Sequence, residues 1–161
     1  MNKLTPRLLL VVIGLACVAA VGAALVAQYH FHMEPCPWCI LQRILFLVVG
    51  ALCLVASALS GLVRRIVSAL AVPFAIGGIA AALWQHFVAA KSDSCALTLA
   101  DKIITGTGLD ARWPDVFEVR GSCADAAVNV LGVPFEFWSL ALFALAGIVA
   151  LRSALTVDRR A

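Results

Sequence analysis

A chain of 161 residues in which 63% of side chains are hydrophobic and 13% charged, with a mean hydropathy of +1.03, describes a membrane protein and excludes an ordinary soluble domain. The apolar residues stand in blocks, which also excludes disorder, a collagen-like fibre and a water-soluble disulfide-rich miniprotein. The net charge of +3 comes from basic residues that flank those blocks and form no cluster of their own, so no nucleic-acid partner is expected.

Residues 8–27 carry no charge over 20 positions, about the number a helix needs to cross the hydrocarbon core. Residues 44–63 form a second uncharged run. A third spans 66–88 and stays uncharged to 90, with Gln85 and His86 among its few polar interruptions. The fourth, 133–151, has Glu136 as its single charge near one end, and Arg152 follows where it can snorkel. A signal peptide is the rival reading of the first run, since Gly14-Leu15-Ala16-Cys17 resembles a lipoprotein cleavage site. A signal's apolar core, however, runs only about 7 to 15 residues. The expectation is an all-α membrane protein: one domain over 1–161, a four-transmembrane-helix bundle with outer loops at 28–39 and 89–132, the longer one between helices 3 and 4.

Four spans put both termini on one side. Lys3, Arg7, Arg64, Arg65, Arg152, Arg159 and Arg160 collect on that side, which the positive-inside rule makes cytoplasmic. In the long outer loop, Lys91, Lys102, Arg112 and Arg120 are outnumbered by Asp93, Asp101, Asp110, Asp115, Glu118 and Asp125. Leu97, Leu99, Ile103 and Ile104, then Trp113, Val116 and Phe117, either rest at the membrane interface or pack the loop on itself.

Six cysteines divide by depth. Cys17 and Cys53 fall in mid-span and read as small hydrophobes. Cys36, Cys39, Cys95 and Cys123 lie on the outer side, where an oxidising compartment lets disulfides persist. In Cys36-Pro37-Trp38-Cys39, Pro37 suits the first position of a helix. Cys36 then becomes its N-cap and Cys39 stands one turn in, where free N–H groups and the helix dipole favour a thiolate. The rivals are a fixed disulfide and a zinc site completed by His30 and His32. Cys95 and Cys123 are separated by 27 residues that include three glycines. They form either a plain structural disulfide or the mobile half of a relay, because four outer cysteines allow three pairings.

Arg43 follows Cys39 by four residues on the same helix face, just inside the apolar boundary, where an ionisable group needs a partner. It is a candidate for holding an oxygen-bearing ligand, stabilising a thiolate, or both; snorkelling to lipid phosphate is the alternative. His86, near the outer end of the third run, is a second candidate donor to that ligand.

The run Cys36-Pro37-Trp38-Cys39-Ile40-Leu41-Gln42-Arg43, set between two spans, together with Gln85-His86 and the loop pair Cys95 and Cys123, resembles the bacterial disulfide bond formation protein B family, DsbB. The resemblance covers nearly the whole chain. It implies a quinone-dependent protein-disulfide oxidoreductase of the bacterial cell inner membrane. Cys95 would form the mixed disulfide with a periplasmic DsbA-type thiol oxidase, and Cys123 would pair with Cys95. Cys36 would exchange with that pair, and Cys39 would face membrane quinone, ubiquinone or menaquinone, supported by Arg43. DsbA-type oxidases lie at about −120 mV, so their reoxidation needs an acceptor stronger than glutathione. Two alternatives stand beside this reading: a structural or metal-binding membrane protein with static loop disulfides, and a quinone reductase of the vitamin K epoxide reductase type. In the latter the C-x-x-C follows the loop cysteines, whereas here Cys36 precedes Cys95.

Overall fold

All four apolar runs form helices, and their ends are decided by caps and turns rather than by the first charge. The computed structural model describes residues 4–91, 98–126 and 128–156; Cys95 and Leu97 lie outside the described residues. Helix α1 runs Leu4–Phe31, α2 Pro37–Ala58 and α3 Gly61–Phe87. After a single 3-10 turn at Ala89–Lys91 come three short helices, α4 (Leu99–Thr107), α5 (Leu109–Arg112) and α6 (Pro114–Phe117). A two-stranded antiparallel hairpin follows, β1 (Asn129–Val130) with β2 (Val133–Pro134), and leads into α7 (Phe135–Leu155). Helices α1, α2, α3 and α7 are long and apolar enough to cross a membrane.

The second helix corrects the expected 44–63 at both ends. It starts at Pro37, because Arg43 interrupts an uncharged count without interrupting a helix. It stops at Ala58, because Leu59 turns extended and Ser60 is already the N-cap of α3. Gly61 takes φ +58 there, a left-handed value that glycine adopts without a Cβ penalty. The last expected residues of span two therefore belong to a tight turn and to the start of α3.

Small residues set the distances between helices. A Cβ on Gly14 would lie 2.7 Å from the Leu54 side chain, and one on Gly50 would lie 3.1 Å from the Gly14 carbonyl oxygen and 3.2 Å from Cβ of Cys17. Helices α1 and α2 thus cross with their backbones close, as membrane helices do where dispersion replaces the hydrophobic drive. Cys17 and Cys53 are fully buried in this core. On α3 the buried stripe Ser68, Ala71, Ala75, Gly78 and Ala82 repeats at helical spacing and receives α7. Ser68 donates to the Ser153 hydroxyl at 2.9 Å. Phe143 lies over Gly78 and stacks on Phe46 of α2 with ring centroids 3.8 Å apart. Helix α1 also touches α7, which closes the bundle.

The long loop folds back onto the N-terminal end of α2. Ile104 of α4 and Phe117 of α6 are buried against Ile40, whereas Leu99, Ile103 and Trp113 remain exposed. The apolar loop residues therefore divide between the two readings, some packing inward and some facing out. Thr98 and Asp101 close a reciprocal capping box at the start of α4.

Candidate functional site

The N-terminal end of α2 gathers three of the four cysteines expected on the outer side. Cys36 is the N-cap, with extended backbone (φ −84, ψ 168), and Pro37 occupies the first turn, where a missing N–H costs nothing. The Cys39 N–H donates to Cys36 Sγ at 3.3 Å, and the two sulfurs stand 2.7 Å apart. Both are thiols, as are Cys17, Cys53 and Cys123.

Cys123 reaches this helix end from the loop. Its sulfur accepts hydrogen bonds from the Cys36 thiol and from the Trp38 backbone N–H. The first free N–H groups of α2 therefore serve two sulfurs, Trp38 holding Cys123 and Cys39 holding Cys36, as expected of a helix N-terminus facing developing negative charge. The backbone brings this about: Arg120 and Gly121 both donate their N–H to the Pro35 carbonyl oxygen, at 3.0 and 3.2 Å. Gly121 eases that crossing, since a Cβ there would lie 3.2 Å from both Cβ and the carbonyl oxygen of Glu34, a tight approach. Cys123 sits below the usual thiol range, first because the Cys36 thiol donates to it and then because Trp38 does; burial opposes both. Cys36 is raised, because its hydrogen bonds with Cys123 and Cys39 favour its protonated form, and burial adds to that.

Below the cysteines lies a cavity of about 350 Å³, within the range of small-molecule sites. Cys39, Gln42, Arg43 and Gln85, with Glu34, Asp125 and Ser139, supply its polar lining; Ala20, Val21, Phe46 and Leu142 are among its apolar residues. That lining suits a flat apolar ring bearing hydrogen-bond acceptors. Arg43 is buried and tied from two sides: Nη1 donates to Gln28 Oε1 and to the Val116 carbonyl oxygen, both at 2.8 Å, and Nη2 donates to the Ala24 carbonyl oxygen at 3.4 Å. Two of its five N–H donors lie beyond these three bonds. Gln85 donates from Nε2 to Cys39 Sγ at 3.3 Å, and its Oε1 accepts from Gln42 Nε2 at 2.7 Å.

His86 is turned away from this wall. Its Nδ1 lies 2.6 Å from Oε1 of Glu136 on α7, its ring rests edge-on to Phe87 and Phe137, and the cavity is reached by its neighbour Gln85 instead. Glu136 is buried, with Oε2 lacking a hydrogen-bond partner among the described residues. Cys36, Cys39, Arg43 and Cys123 are thus assembled at one end of α2, His86 stands one helix face away, and Cys95 lies outside the described residues. Gln28 and Glu136 join the constellation without having been singled out by any motif, and Gln42 joins it from within the Cys36–Arg43 run, where it had been given no role. Their signal is only that of polar side chains inside apolar helices. Among the described residues, no three His, Cys, Asp or Glu side chains are arranged to hold a metal ion, and His30 and His32 are exposed.

Comparison with known proteins adds an independent finding. The family described as Disulfide bond formation protein DsbB matches residues 6–152. Disulfide bond formation protein B 1 of Pseudomonas savastanoi pv. phaseolicola is 36% identical over 146 residues, covering 87% of this chain and 84% of its own. That of Pseudomonas putida is 35% identical over 158 residues, covering 92% and 93%. Disulfide bond formation protein B of Burkholderia thailandensis is 32% identical over 153 residues, covering 90% of each. No solved structure matches the chain.

Proposed function

The chain belongs to the disulfide bond formation protein DsbB family, and from that premise we propose that it reoxidises a periplasmic DsbA-type thiol oxidase and delivers the electrons to membrane quinone. It works in the bacterial inner membrane with both termini in the cytoplasm. The observation that carries this reading is the meeting of Cys36, Cys39 and Cys123 at one helix N-terminus, directly above a cavity walled by Cys39 and Arg43.

Electrons enter through the loop pair. A thiolate of the reduced partner attacks the Cys95–Cys123 disulfide at Cys95, and Cys123 leaves as a thiolate; the partner's second thiol then resolves the mixed disulfide. The partner ends as a disulfide, and Cys95 and Cys123 as thiols. Cys123 is lowered first by the Cys36 thiol and then by the Trp38 N–H; with Cys36 in its disulfide, the Trp38 N–H is the donor that favours departure of Cys123 as a thiolate. In the next exchange Cys123 attacks a Cys36–Cys39 disulfide at Cys36, and Cys39 leaves as a thiolate at the cavity wall. Cys95 then displaces Cys36 from Cys123, which restores the loop disulfide and leaves both helix cysteines reduced. Quinone held in the cavity by Arg43, Gln42 and Gln85 would supply the two-electron, two-proton acceptor needed to re-form the Cys36–Cys39 disulfide. The cavity fits such a group, having an apolar floor and, at one end, the guanidinium of Arg43 with the amides of Gln42 and Gln85. Among the described residues, Arg43 brings the one fixed positive charge in the cavity wall, which favours a thiolate at Cys39 and would hydrogen-bond an acceptor oxygen.

The test is quinone consumption by the purified protein supplied with a reduced DsbA-type partner. Stoichiometric loss of quinone and gain of partner disulfide is expected. Four cysteines that stay in one fixed pairing under those conditions would make the loop disulfide structural and remove the reading.

A further inference from the structure

Gln42 and Gln85 are amides buried where apolar helices meet, only 4% and 2% exposed. A buried amide is costly unless its donors and acceptor are engaged. Here the engagement has a direction: Gln42 Nε2 donates to Gln85 Oε1 at 2.7 Å, and Gln85 Nε2 then faces Cys39 Sγ at 3.3 Å. Gln42 stands on the same helix as Cys39, and Gln85 comes from α3. The pair therefore spans the α2–α3 seam and ends on the sulfur.

We propose that Gln42 and Gln85 are positioning residues for Cys39, a neutral donor chain that stabilises its thiolate whenever the Cys36–Cys39 disulfide is opened. This rests on the reading of Cys39 as the sulfur that leaves toward the cavity. Gln85 supplies the donor, and Gln42, by occupying Oε1, prevents the Gln85 amide from turning its oxygen toward a thiolate. Neutrality matters as much as donation. A carboxylate at 85 would oppose the same negative sulfur, whereas a pair of amides can turn over together and offer an oxygen to the thiol. The other titratable or charged groups around Cys39 are Cys36 and Arg43 on α2, Cys123 and Asp125 from the loop, and Glu34 from the α1–α2 connection. On α3 the neighbouring His86 faces Glu136 of α7. All of these are common to the variants below, so they cancel in the comparison.

The experiment follows alkylation of Cys39 by iodoacetamide in the fully reduced, full-length protein in detergent, resolved by peptide mass and taken across pH. It requires neither partner nor quinone. Gln85→Leu should move the midpoint of the rate profile up by about one pH unit, which is about tenfold slower alkylation at a fixed pH below the midpoint. Gln85→Glu should move it further in the same direction, and Gln42→Leu, remote from the sulfur, should move it less than Gln85→Leu. A midpoint unchanged in Gln85→Glu and Gln42→Leu would overturn the proposal, and those two variants keep it open to refutation if Gln85→Leu does not fold. Shifted midpoints in a protein that never reduces quinone would keep the amide pair and remove the proposed function. Unshifted midpoints in variants that reduce quinone normally would do the reverse.

Discussion

At the scale of single residues, the cysteines divide their work by which N–H or S–H faces each sulfur. Cys123 is lowered chiefly by the Cys36 thiol, so removing that donor has a direct consequence. At neutral pH, below the ordinary thiol range, a lowered group carries more thiolate and reacts faster, and a raised one less. In the reduced wild-type protein Cys123 should therefore be alkylated well before Cys36, and Cys36→Ala should slow Cys123 at neutral pH while leaving its rate at pH 10 nearly unchanged; peptide mapping after brief alkylation reads both. Arg43 is a different case, because it holds Gln28 and the Val116 carbonyl as well as facing the cavity. A hydrogen bond to a charged group is worth roughly 1.5 to 3 kcal/mol, or about 10- to 150-fold. Arg43→Gln should raise the apparent KM for quinone, or lower quinone reduction, within that range, and Lys should rescue only in part because it lacks the planar fork. Wild-type quinone kinetics in Arg43→Gln at subsaturating quinone would reduce Arg43 to a tie between α1 and α6. Much of this site was legible in the sequence, since Pro37 after Cys36 announces a helix start and a spacing of four puts Arg43 under Cys39. Gln28, Gln42 and Glu136 were not, because each matters through a partner on another helix that no local spacing reveals. The same limit applied to His86: its depth in α3 could be read, but its direction depends on Glu136, a residue 50 positions later.

Among elements, the α3–α7 seam shows how little space the bundle leaves. A Cβ on Gly78 would lie 2.4 to 2.5 Å from three ring atoms of Phe143, and that ring is the one stacked on Phe46 in the cavity floor. Gly78→Ala must push Phe143 out of its stack, and overpacking of this kind typically costs about 1 to 3 kcal/mol. Gly77, the preceding residue, would meet nothing within 4 Å, so Gly77→Ala should be neutral or slightly stabilising through helix propensity. Thermal unfolding in detergent should place Gly78→Ala below the wild type and Gly77→Ala at or above it; equal melting of the two variants would refute this account of the seam. The four helices were readable because length and apolarity alone specify a membrane span. Their ends were not, since a charge such as Arg43 ends an uncharged run while backbone hydrogen bonding continues through it. Nor were the short elements of the long loop, which depend on helices distant in sequence, α4 and α6 on α2 and the hairpin on α7. The hairpin is the clearest example: Leu131 and Gly132 both take positive φ, +53 and +79, as a two-residue hairpin turn demands. Leucine at the first of these positions gives no warning of it.

For the molecule as a whole, the two ends of the bundle carry opposite tasks. At the proposed cytoplasmic end, the basic residues that set orientation also finish a helix, since Arg64 Nη2 and Arg65 Nε donate to the carbonyl oxygens of Thr156 and Ala154 at the end of α7. Cations on C-terminal carbonyls offset the helix dipole. At the other end, the first N–H groups of α2 serve sulfurs. Electron flow in the proposed relay is therefore confined to the end of the bundle where α2 begins and should separate into two halves. Cys95→Ser removes the sulfur assigned to the mixed disulfide, so oxidation of the protein partner should stop, while a reduced Cys36 and Cys39 pair is still reoxidised by quinone in a single turnover. Cys39→Ser should abolish quinone reduction, yet its loop pair, supplied already oxidised, should still oxidise one equivalent of partner. The two variants mixed in one detergent preparation should show little steady-state turnover, because the Arg120 and Gly121 N–H groups, bonded to the Pro35 carbonyl, hold the segment leading to Cys123 beside the start of α2 in its own chain. Rapid turnover of the mixture would mean that the loop cysteines exchange between molecules, and the intramolecular path from Cys123 to Cys36 would have to be abandoned.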